Sequence, residues 1–424
     1  MKPPPRKPAR RSNTSSTPIP KRALHELLEQ RPLTVAPDET IHDLEVRAPV
    51  PHPFLFRKRL GAFPRHAHAG DMVRLTHSSG QSFGWGLFNP HAEIAARLLT
   101  TDPVMPDEDW WQHRLARAVN LRREILQLDA HTNAYRVVHA EGDGLSGLVV
   151  DRFNDVLVVE AYALGMYQRA EGILDLLTPL CETEHGLLRS APQSDLHEGF
   201  AAEGIGSEKL PPKVTIQEFG TQFRIDFAGG QKTGFYCDQR ENRKRVAQLC
   251  GGKRVLDLCT YTGGFAIQAT VLGGAGETTA VELDESAVEI ARGNARLNKS
   301  KIHFVQADAF AYVKDMLRNN ERYDVIIVDP PKLIRTREED HLGRRKYFDL
   351  NRLAMQLLSP NGVIFTCSCS GMLPREEFLR LVCAAVPEDR RAQILEQGGA
   401  AADHPIAVGC PESEYLKTVL LRLD

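Results

Sequence analysis

The fold is decided by one stretch, Arg254-Val255-Leu256-Asp257-Leu258-Cys259-Thr260-Tyr261-Thr262-Gly263-Gly264-Phe265. Its apolar start followed by a polar segment and two glycines predicts a short buried strand, a sharp turn and the first turn of a helix. A strand, turn and helix in this order open the nucleotide-binding sheets of α/β proteins. The alternative interpretation is an ordinary tight turn that binds nothing.

Asp257 indicates which ligand such a turn would hold. A carboxylate at the mouth of the turn would repel a pyrophosphate, and the dinucleotide fingerprint G-x-G-x-x-G is absent. S-adenosylmethionine carries no phosphate but has a positive sulfonium and a positive ammonium, which suit an acidic turn. Gly263 and Gly264 would let the backbone approach that ligand closely. The stretch therefore predicts an S-adenosylmethionine site and disfavours a nicotinamide-dependent dehydrogenase.

Size and composition restrict the class of protein. A chain of 424 residues with 42% hydrophobic and 25% charged residues is typical of a soluble globular protein with two or three domains. No apolar run approaches the length of a membrane span, and no secretory signal is evident. The eight cysteines form no C-x-x-C pair, so we expect a cytoplasmic protein without a metal site.

Shifts in composition divide the chain into four parts. Residues 1–44 form a basic, disordered tail and lead-in, because residues 1–22 hold seven Lys and Arg and no acid. Residues 45–112 show short strands between turn residues, which predicts a small β-barrel with basic edges. Residues 113–208 predict a central α+β scaffold with a linker, and residues 209–424 an α/β catalytic domain. The basic tail and barrel edges are either RNA-phosphate contacts or solvated faces.

Acidic residues end successive strands of the catalytic domain. Glu282 lies 25 residues after Asp257, the spacing at which an acid meets ribose hydroxyls in related sheets. Asp308 ends the third strand, where it could accept from an adenine amino group, and Asp329 ends the fourth. A surface glutamate at a strand end is the alternative for Glu282. We therefore expect the cofactor at the carboxyl ends of these strands.

Two more segments are expected at the same edge. The loop from Gly229 to Arg240 contains Gln231 and Phe235 and predicts a flap over a flat ligand such as adenine, against the alternative of a plain loop before a helix. The fifth strand would bring Cys369 to the rim. Cys367 shares its face because the two cysteines are two residues apart on one strand.

Together these motifs resemble the RlmI-like group of class I methyltransferases, which are bacterial 23S rRNA (cytosine-C5) methyltransferases. The motifs that carry the resemblance are Asp257 with Gly263-Gly264, Glu282, Asp308, Asp329-Pro330-Pro331-Lys332, Ser368-Cys369-Ser370-Gly371, Gly230 to Tyr236 with Asp238-Gln239-Arg240, Glu141 to Leu145 with Val150-Asp151-Arg152, His52-Pro53 and Asn89-Pro90. The match covers roughly residues 45 to 424. The basic tail lies outside it.

The resemblance implies a fold, a cofactor and an RNA partner. The fold is an N-terminal PUA-like β-barrel, a small central α+β domain and a class I Rossmann-like domain with a mostly parallel seven-stranded sheet. Its last strand, near residues 414–421, would be antiparallel. The implied partner is 23S rRNA, with a homodimer as a further possibility. The implied S-adenosylmethionine site comprises Gln231, Phe235, Asp257, Thr262, Gly263, Gly264, Glu282, Asp308 and Asp329.

The implied chemistry assigns three catalytic residues. Carbon 5 of a pyrimidine is a poor nucleophile until a thiolate adds to carbon 6. Cys369 would supply that thiolate and Asp329 would steady the ring, while Lys332 would contact RNA phosphate or the base edge. Cys367 is interpreted as a small buried apolar residue.

Two alternatives stay open at this stage. Cys369 would serve carbon 5 of uracil, or a cytosine in tRNA, equally well. In a different class of function, the protein would be an inactive RNA-binding assembly factor with a methyltransferase fold.

Overall fold

The computed structural model describes residues 26–48, 50–227 and 235–424. The basic tail and Gln231 lie outside this part of the chain. The strands within it are β1 (His42–Glu45), β2 (Phe54–Phe56), β3 (Met72–Thr76), β4 (Ser82–Phe88), β5 (Ile94–Thr100), β6 (Ala134–His139), β7 (Leu148–Phe153), β8 (Val156–Ala161), β9 (His185–Ser190), β10 (Ile205–Gly206), β11 (Lys213–Glu218), β12 (Thr221–Asp226), β13 (Arg254–Leu258), β14 (Glu277–Glu282), β15 (His303–Gln306), β16 (Tyr323–Val328), β17 (Leu358–Ser368), β18 (Ala392–Gly399) and β19 (Lys417–Leu423).

The α-helices of the described residues pack around these strands. They are α1 (Glu108–Asn120), α2 (Leu164–Tyr167), α3 (Ala170–Cys181), α4 (Ser194–Glu198), α5 (Arg240–Ala247), α6 (Gly264–Val271), α7 (Glu285–Leu297), α8 (Ala309–Arg318), α9 (Asp340–Gln356) and α10 (Arg375–Ala384). None of the helices in these residues is long and apolar enough to cross a bilayer.

The first sheet, in the order β1-β3-β4-β5-β2, forms the predicted N-terminal β domain. Part of its basic edge is engaged within the domain. Arg74 makes a two-bond ion pair with Asp43 at 2.6 and 2.8 Å, and the Arg57 guanidinium lies over the ring of Phe63. These two arginines are therefore less available to RNA phosphate than the sequence suggests.

The central domain packs tightly against this first sheet. Its own sheet has the order β10-β9-β8-β7-β6, and every residue of β8 is buried. One hydrophobic core runs through both domains and includes Trp85 of β4, Trp111 and Leu115 of α1, and Val159 of β8. A shared core of this kind makes the two domains one packing unit. The expected linker before residue 208 contains α4 and β10, and the domain boundaries drawn from the sequence stay a proposal.

The catalytic domain is built on a sheet with the order β15-β14-β13-β16-β17-β19-β18. Neighbouring strands from β15 to β17 run parallel, whereas β19 pairs antiparallel with both β17 and β18. This confirms the predicted seven-stranded, mostly parallel sheet and its antiparallel closing strand. The carboxyl ends of β13, β14 and β16 meet along one edge, where such sheets bind ligands.

A buried ion network joins the central and catalytic domains. The carboxylate of Asp403 accepts from both terminal nitrogens of Arg240 at 2.9 and 3.0 Å and from the Arg136 amide at 2.9 Å. Arg122 donates to the Asp403 carbonyl and to Asp143, both at 2.6 Å. Paired, buried charges of this kind fix relative orientation, because separating them would leave an uncompensated charge in the interior.

Candidate active site

A cavity of about 1270 Å³ opens at the carboxyl ends of the catalytic strands. All three domains line it: Phe54 belongs to the first sheet, Glu160 to the central sheet, and Glu282 and Asp329 to the catalytic sheet. Pockets for single small molecules usually measure about 300–1,000 Å³. The cavity therefore has room for a cofactor and for part of a second, larger ligand.

The turn after β13 bounds one end of the cavity with a strained backbone. Cys259 and Tyr261 adopt left-handed φ values of 62° and 51°, and Gly263 follows at 87°. Non-glycine residues seldom adopt this conformation, and it concentrates at ligand sites. Thr262 and Gly264 reach the cavity wall, whereas Gly263 does not. The turn thus contributes Thr262, Gly264 and the larger Tyr261 to the cavity wall, and their contact with a cofactor stays a prediction.

Asp257 lies beneath this turn rather than at its mouth. Its side chain is fully buried and does not line the cavity. The carboxylate accepts from the Thr260 hydroxyl and from the Ala266 amide, the latter at 3.0 Å. Burial raises the pKa of Asp257 to about 7. The structure therefore corrects the expected direct contact between Asp257 and a positively charged ligand. Asp257 instead lies beneath the turn and holds its backbone through these two hydrogen bonds.

Glu282 and Asp308 do reach the cavity. The Glu282 carboxylate accepts from the amides of Tyr261 and Leu283, both at 2.8 Å, and of Asp284 at 3.1 Å. These bonds tie the end of β14 to the turn after β13. Asp308 is the N-cap of α8 and accepts from the Ala311 amide at 3.0 Å, so one of its oxygens is already engaged by the helix.

Phe235 lines the cavity but is largely committed to the core. Its ring lies 5.0 Å from that of Phe223 and 4.6 Å from the Arg243 guanidinium. The next residue, Tyr236, makes an edge contact with Tyr261 at 5.1 Å. Tyr261 was missed by the sequence analysis, because nothing in the pattern marks an aromatic residue of a turn as a wall of the site.

The reaction end of the cavity, at the carboxyl ends of β16 and β17, lies directly beside the turn after β13, because Val328 of β16 pairs with Leu258 of β13. Asp329 accepts from the Cys367 thiol at 2.9 Å and from the Gln239 amide at 3.2 Å. Desolvation raises the pKa of Asp329 to about 6 and that of Cys367 well above the usual thiol value. Cys367 is fully buried, whereas Cys369 lines the cavity. The structure thus brings Cys369 and Asp329 to one wall.

Three cations stand at the rim beside these residues: Lys332, Arg335 and Lys346. Other members of the basic run that follows Lys332 are engaged elsewhere. Arg344, for example, pairs with Asp340 at 2.8 Å along α9. The basic face available to a polyanion is therefore narrower than the sequence indicates.

The central domain is more than the scaffold that the sequence predicted. Arg136, His139, Glu160 and Tyr162 line the cavity. Glu160 is buried, and Tyr162 donates to it at 3.1 Å. Charged residues inside the otherwise apolar strands β6 and β8 were the signal that could have identified this wall, because a buried charge needs a structural or functional partner.

A second cluster joins the first sheet to the catalytic domain at the far side of the cavity. The ligand atoms of His52, Cys410 and Glu412 lie within 4.8 Å of one another. The Phe54 amide donates to His52 Nδ1 at 3.1 Å, which places the ring proton on Nε2, 3.5 Å from Glu412. With this tautomer, the His52 Nε2–H group faces the Glu412 carboxylate. The cluster is therefore explained as a polar contact between domains, without a metal ion.

Comparison with known proteins identifies the family. Residues 192–408 match the model of S-adenosylmethionine-dependent methyltransferases, and residues 50–101 match that of PUA-like domains. A protein of Tolumonas auensis named ribosomal RNA large subunit methyltransferase I is 38% identical over 88% of this chain and 95% of its own. A protein of Escherichia coli with the same name is 35% identical over 88% and 95%.

Solved structures agree on the fold. A protein described as a SAM-dependent methyltransferase from Streptococcus mutans superposes with a TM-score of 0.75 at 20% identity, over 90% of this chain and 100% of its own. Another, described as a methyltransferase complexed with SAH, has a TM-score of 0.76 at 21% identity over the same shares. With its PUA-like domain, its class I sheet and its strand-end acids, the chain belongs to the S-adenosylmethionine-dependent methyltransferases, in the family of ribosomal RNA large subunit methyltransferase I.

Proposed function

We propose that the protein methylates carbon 5 of a cytosine in 23S rRNA, through a covalent adduct between Cys369 and carbon 6. The names of its relatives support an RNA of the large ribosomal subunit. The observation that carries the reaction is that a partly accessible cysteine and a carboxyl of raised pKa lie on one wall of a cofactor-sized cavity. The homodimer stays a prediction.

The cavity residues fit the cofactor that the family uses. Glu282 holds three backbone amides and still presents its carboxylate to the cavity, as recognition of ribose hydroxyls requires. We assign Thr262, Gly264, Phe235 and Asp308 to the wall around the nucleoside. S-adenosylmethionine, when bound, supplies an electrophilic methyl group on a positively charged sulfur. Gln231 stays a candidate from the sequence alone.

The thiol of Cys369 supplies the nucleophile. Its thiolate forms a bond to carbon 6 of the base, and the electron pair of the 5,6 double bond moves to carbon 5 and the ring. Carbon 5 thereby becomes nucleophilic enough to be methylated. When a base then removes the proton from carbon 5, the double bond re-forms and the sulfur–carbon bond breaks. The cysteine is regenerated, so that no outside oxidant or reductant is needed.

Asp329 favours cytosine over uracil in this scheme. Its carboxyl has a pKa of about 6, so a proton on it is accessible near neutral pH and can be donated to N3 of cytosine. Negative charge develops on that nitrogen when the thiolate adds to carbon 6, and a donor placed there stabilises it. Uracil carries a hydrogen on N3 and would need an acceptor instead.

The target base of the RNA must enter a cavity that residues of all three domains line. A base in a helix cannot reach the cavity, so the target nucleotide has to leave its stack. We assign Lys332, Arg335 and Lys346, which stand at the rim, to the phosphates that flank this nucleotide. The PUA-like domain would hold RNA further from the reaction site.

The test combines product mapping with adduct trapping. Mass mapping of 23S rRNA from cells with and without the gene should locate one 5-methylcytosine that depends on the protein. RNA carrying 5-fluorocytosine has no proton to lose from carbon 5, so it should remain attached to the wild-type protein in a denaturing gel.

Two cysteine variants make this test specific. Cys369→Ala should abolish the adduct and lower methylation by at least about a thousandfold, as expected for loss of a nucleophile. Cys383→Ala, the control, removes an exposed thiol of α10 and should retain both. Methylation by Cys369→Ala at the wild-type rate would refute the mechanism, and a mapped 5-methyluracil would refute the choice of base.

A further inference from the structure

Beside the reaction end of the cavity lies a buried ammonium group that no carboxylate neutralises. Lys417 is 2% exposed and opens β19, where it pairs with Ser368 of β17. Glu414, three residues earlier, forms its ion pair with Arg375 instead. Within the described residues, the Lys417 ammonium has no ion-pair partner. Burying an unpaired charge costs free energy. We therefore expect an anion to lie beside the Lys417 ammonium during the reaction.

The hydrogen bonds of Lys417 hold its ammonium against the main chain next to Cys369. Nζ donates to the carbonyl oxygen of Ser370 at 2.7 Å and to that of Tyr415 at 2.8 Å. Ser370 directly follows Cys369, so the first of these bonds fixes the ammonium against the backbone that carries the thiol. Two of its three N–H groups are used in this way. Burial lowers the pKa of Lys417 to about 8, and the neighbouring Cys369 is the strongest influence that opposes this.

We propose that Lys417 is a positioning residue that acts as the counter-charge of the Cys369 thiolate and keeps this nucleophile ionised near neutral pH. A cation beside a cysteine lowers the pKa of its thiol, because it stabilises the charged form. The thiolate in turn neutralises the buried ammonium. The inference rests on the proposed function, in which Cys369 is the nucleophile.

The other described groups that act on this pair are uncharged near neutral pH or more exposed than Lys417. Burial raises the pKa of Tyr236, of Tyr347 (to about 12) and of Cys367, so these three groups are uncharged near neutral pH. Lys332 lies further out and is exposed at the rim. Among the described residues, the groups that interact electrostatically with Cys369 or Lys417 include Tyr236, Tyr347, Cys367, Glu414, Arg375 and Lys332.

The experiment measures the thiol directly in the full-length protein. Iodoacetamide is applied over a range of pH, and the alkylated Cys369 peptide is quantified by mass spectrometry. The wild-type midpoint should lie below the value of about 8.5 of an ordinary cysteine. In Lys417→Met it should rise by about one unit or more, which slows alkylation at pH 7 about tenfold. Lys417→Arg keeps the charge and should restore the midpoint.

Controls separate charge from structural damage. Arg422→Met removes an exposed cation from the same strand β19 and should leave the Cys369 midpoint unchanged. If Lys417→Met does not fold, Lys417→Gln replaces it, and methylation by the folded variant should recover as the pH is raised. A midpoint that is the same in wild type and in the neutral variants would overturn the inference.

The outcome is independent of the proposed reaction. Alkylation is measured without RNA, so a shifted midpoint can be found even if Cys369 proves not to methylate RNA. Conversely, loss of the trapped adduct in Cys369→Ala supports the reaction whether or not Lys417 sets the midpoint. The two proposals can therefore fail separately.

Discussion

The reaction end of the cavity and the neighbouring cofactor end, at the turn after β13 and the end of β14, are built by different means. At the end assigned to the cofactor, the acids are held by main-chain amides: three of them bind Glu282, and one binds Asp257 beneath the turn. At the reaction end, side chains hold the acid: Asp329 binds the Cys367 thiol and the Gln239 amide. The Lys417 ammonium donates to main-chain carbonyl oxygens, one of them that of Ser370, the residue after Cys369.

This difference separates binding from chemistry. Main-chain amides stay protonated at any pH at which the protein is folded, so the cofactor end has a fixed pattern of donors. At the reaction end, Asp329 and Lys417 have pKa values shifted toward neutrality, to about 6 and about 8. At the cofactor end Asp257 has such a value too, about 7, but it is buried beneath the turn and does not line the cavity. Shifted values of this kind are typical of groups that exchange protons during a reaction. Changes at one end should therefore alter affinity, and changes at the other should alter pH dependence.

The largest effect expected from this comparison is on cofactor affinity. Glu282→Gln replaces an oxygen that accepts amide hydrogens with an NH₂ group that cannot. Loss of hydrogen bonds to a charged group costs about 1.5–3 kcal/mol each, so affinity for S-adenosylmethionine should fall about 10- to 100-fold. Titration calorimetry measures this directly.

The control for Glu282 lies three residues further along. Glu285→Gln changes an exposed acid in the first turn of α7 and should bind the cofactor like wild type. The Cys369 alkylation midpoint of Glu282→Gln should also stay unchanged. A variant with normal affinity, or with a shifted thiol midpoint, would contradict the separation of the two ends.

The sequence predicted residues of both ends of the cavity but not the partners that hold them. A strand followed by two glycines, and acids at successive strand ends, are local patterns that the sheet brings together by its regular order. Thr262, Gly264, Glu282 and Asp308 were predicted from these patterns and line the cavity, and their contact with the cofactor stays a prediction. The burial of Asp257 was missed, because the orientation of a side chain at the end of a strand depends on how the turn closes.

The partners of the reaction residues are distant in the chain. Lys417 follows Cys369 by 48 residues and lies beside it only because β19 returns antiparallel to β17. The central-domain wall at Glu160 and Tyr162 depends in the same way on how two domains pack. Contacts between residues so distant in the chain produce no periodic pattern in the sequence. Composition and spacing could therefore indicate neither the Lys417 site nor the central-domain wall.

A smaller effect is expected on the pH dependence of stability. Asp329 has a pKa of about 6 in the folded protein against 3.8 in its ordinary state, so the folded protein binds its proton more tightly than the unfolded chain. The protonated carboxyl thus contributes stability below about pH 4, and this is lost as the pH rises through 6. Asp329→Asn should raise the free energy of unfolding by about 1–2 kcal/mol at pH 8, with no gain at pH 4.

Denaturant unfolding at the two pH values measures this difference. Asp257 titrates in the same direction, and the charge of Asp329 helps to raise its pKa. Asp329→Asn should therefore also lower the pKa of Asp257, which adds to the gain in stability at pH 8. The variant should be more stable and less active at neutral pH, since the proton on Asp329 is assigned to the base. A gain in stability that is equal at pH 4 and pH 8 would mean that the carboxyl is not the cause.

The smallest effect distinguishes backbone strain from packing at the cofactor end. Gly263 and Gly252 both have left-handed φ values, 87° and 67°. A Cβ on Gly263 would lie 2.9 Å from Ile267 Cδ1, whereas one on Gly252 would meet nothing within 4 Å. Both alanine variants should lose about 1 kcal/mol through the left-handed conformation, and Gly263→Ala should lose up to about 1 kcal/mol more through overpacking.

Cofactor binding then shows whether the turn acts as a fixed frame. Gly263 lies within the turn but does not line the cavity. Gly263→Ala can therefore weaken cofactor binding only by moving Thr262 and Gly264. A loss of affinity of about fivefold, absent in Gly252→Ala, would mean that the main-chain donors must keep their present positions. Equal affinity in both variants would instead mean that the turn adjusts to its ligand, and the contrast between a fixed end and a titrating end would weaken.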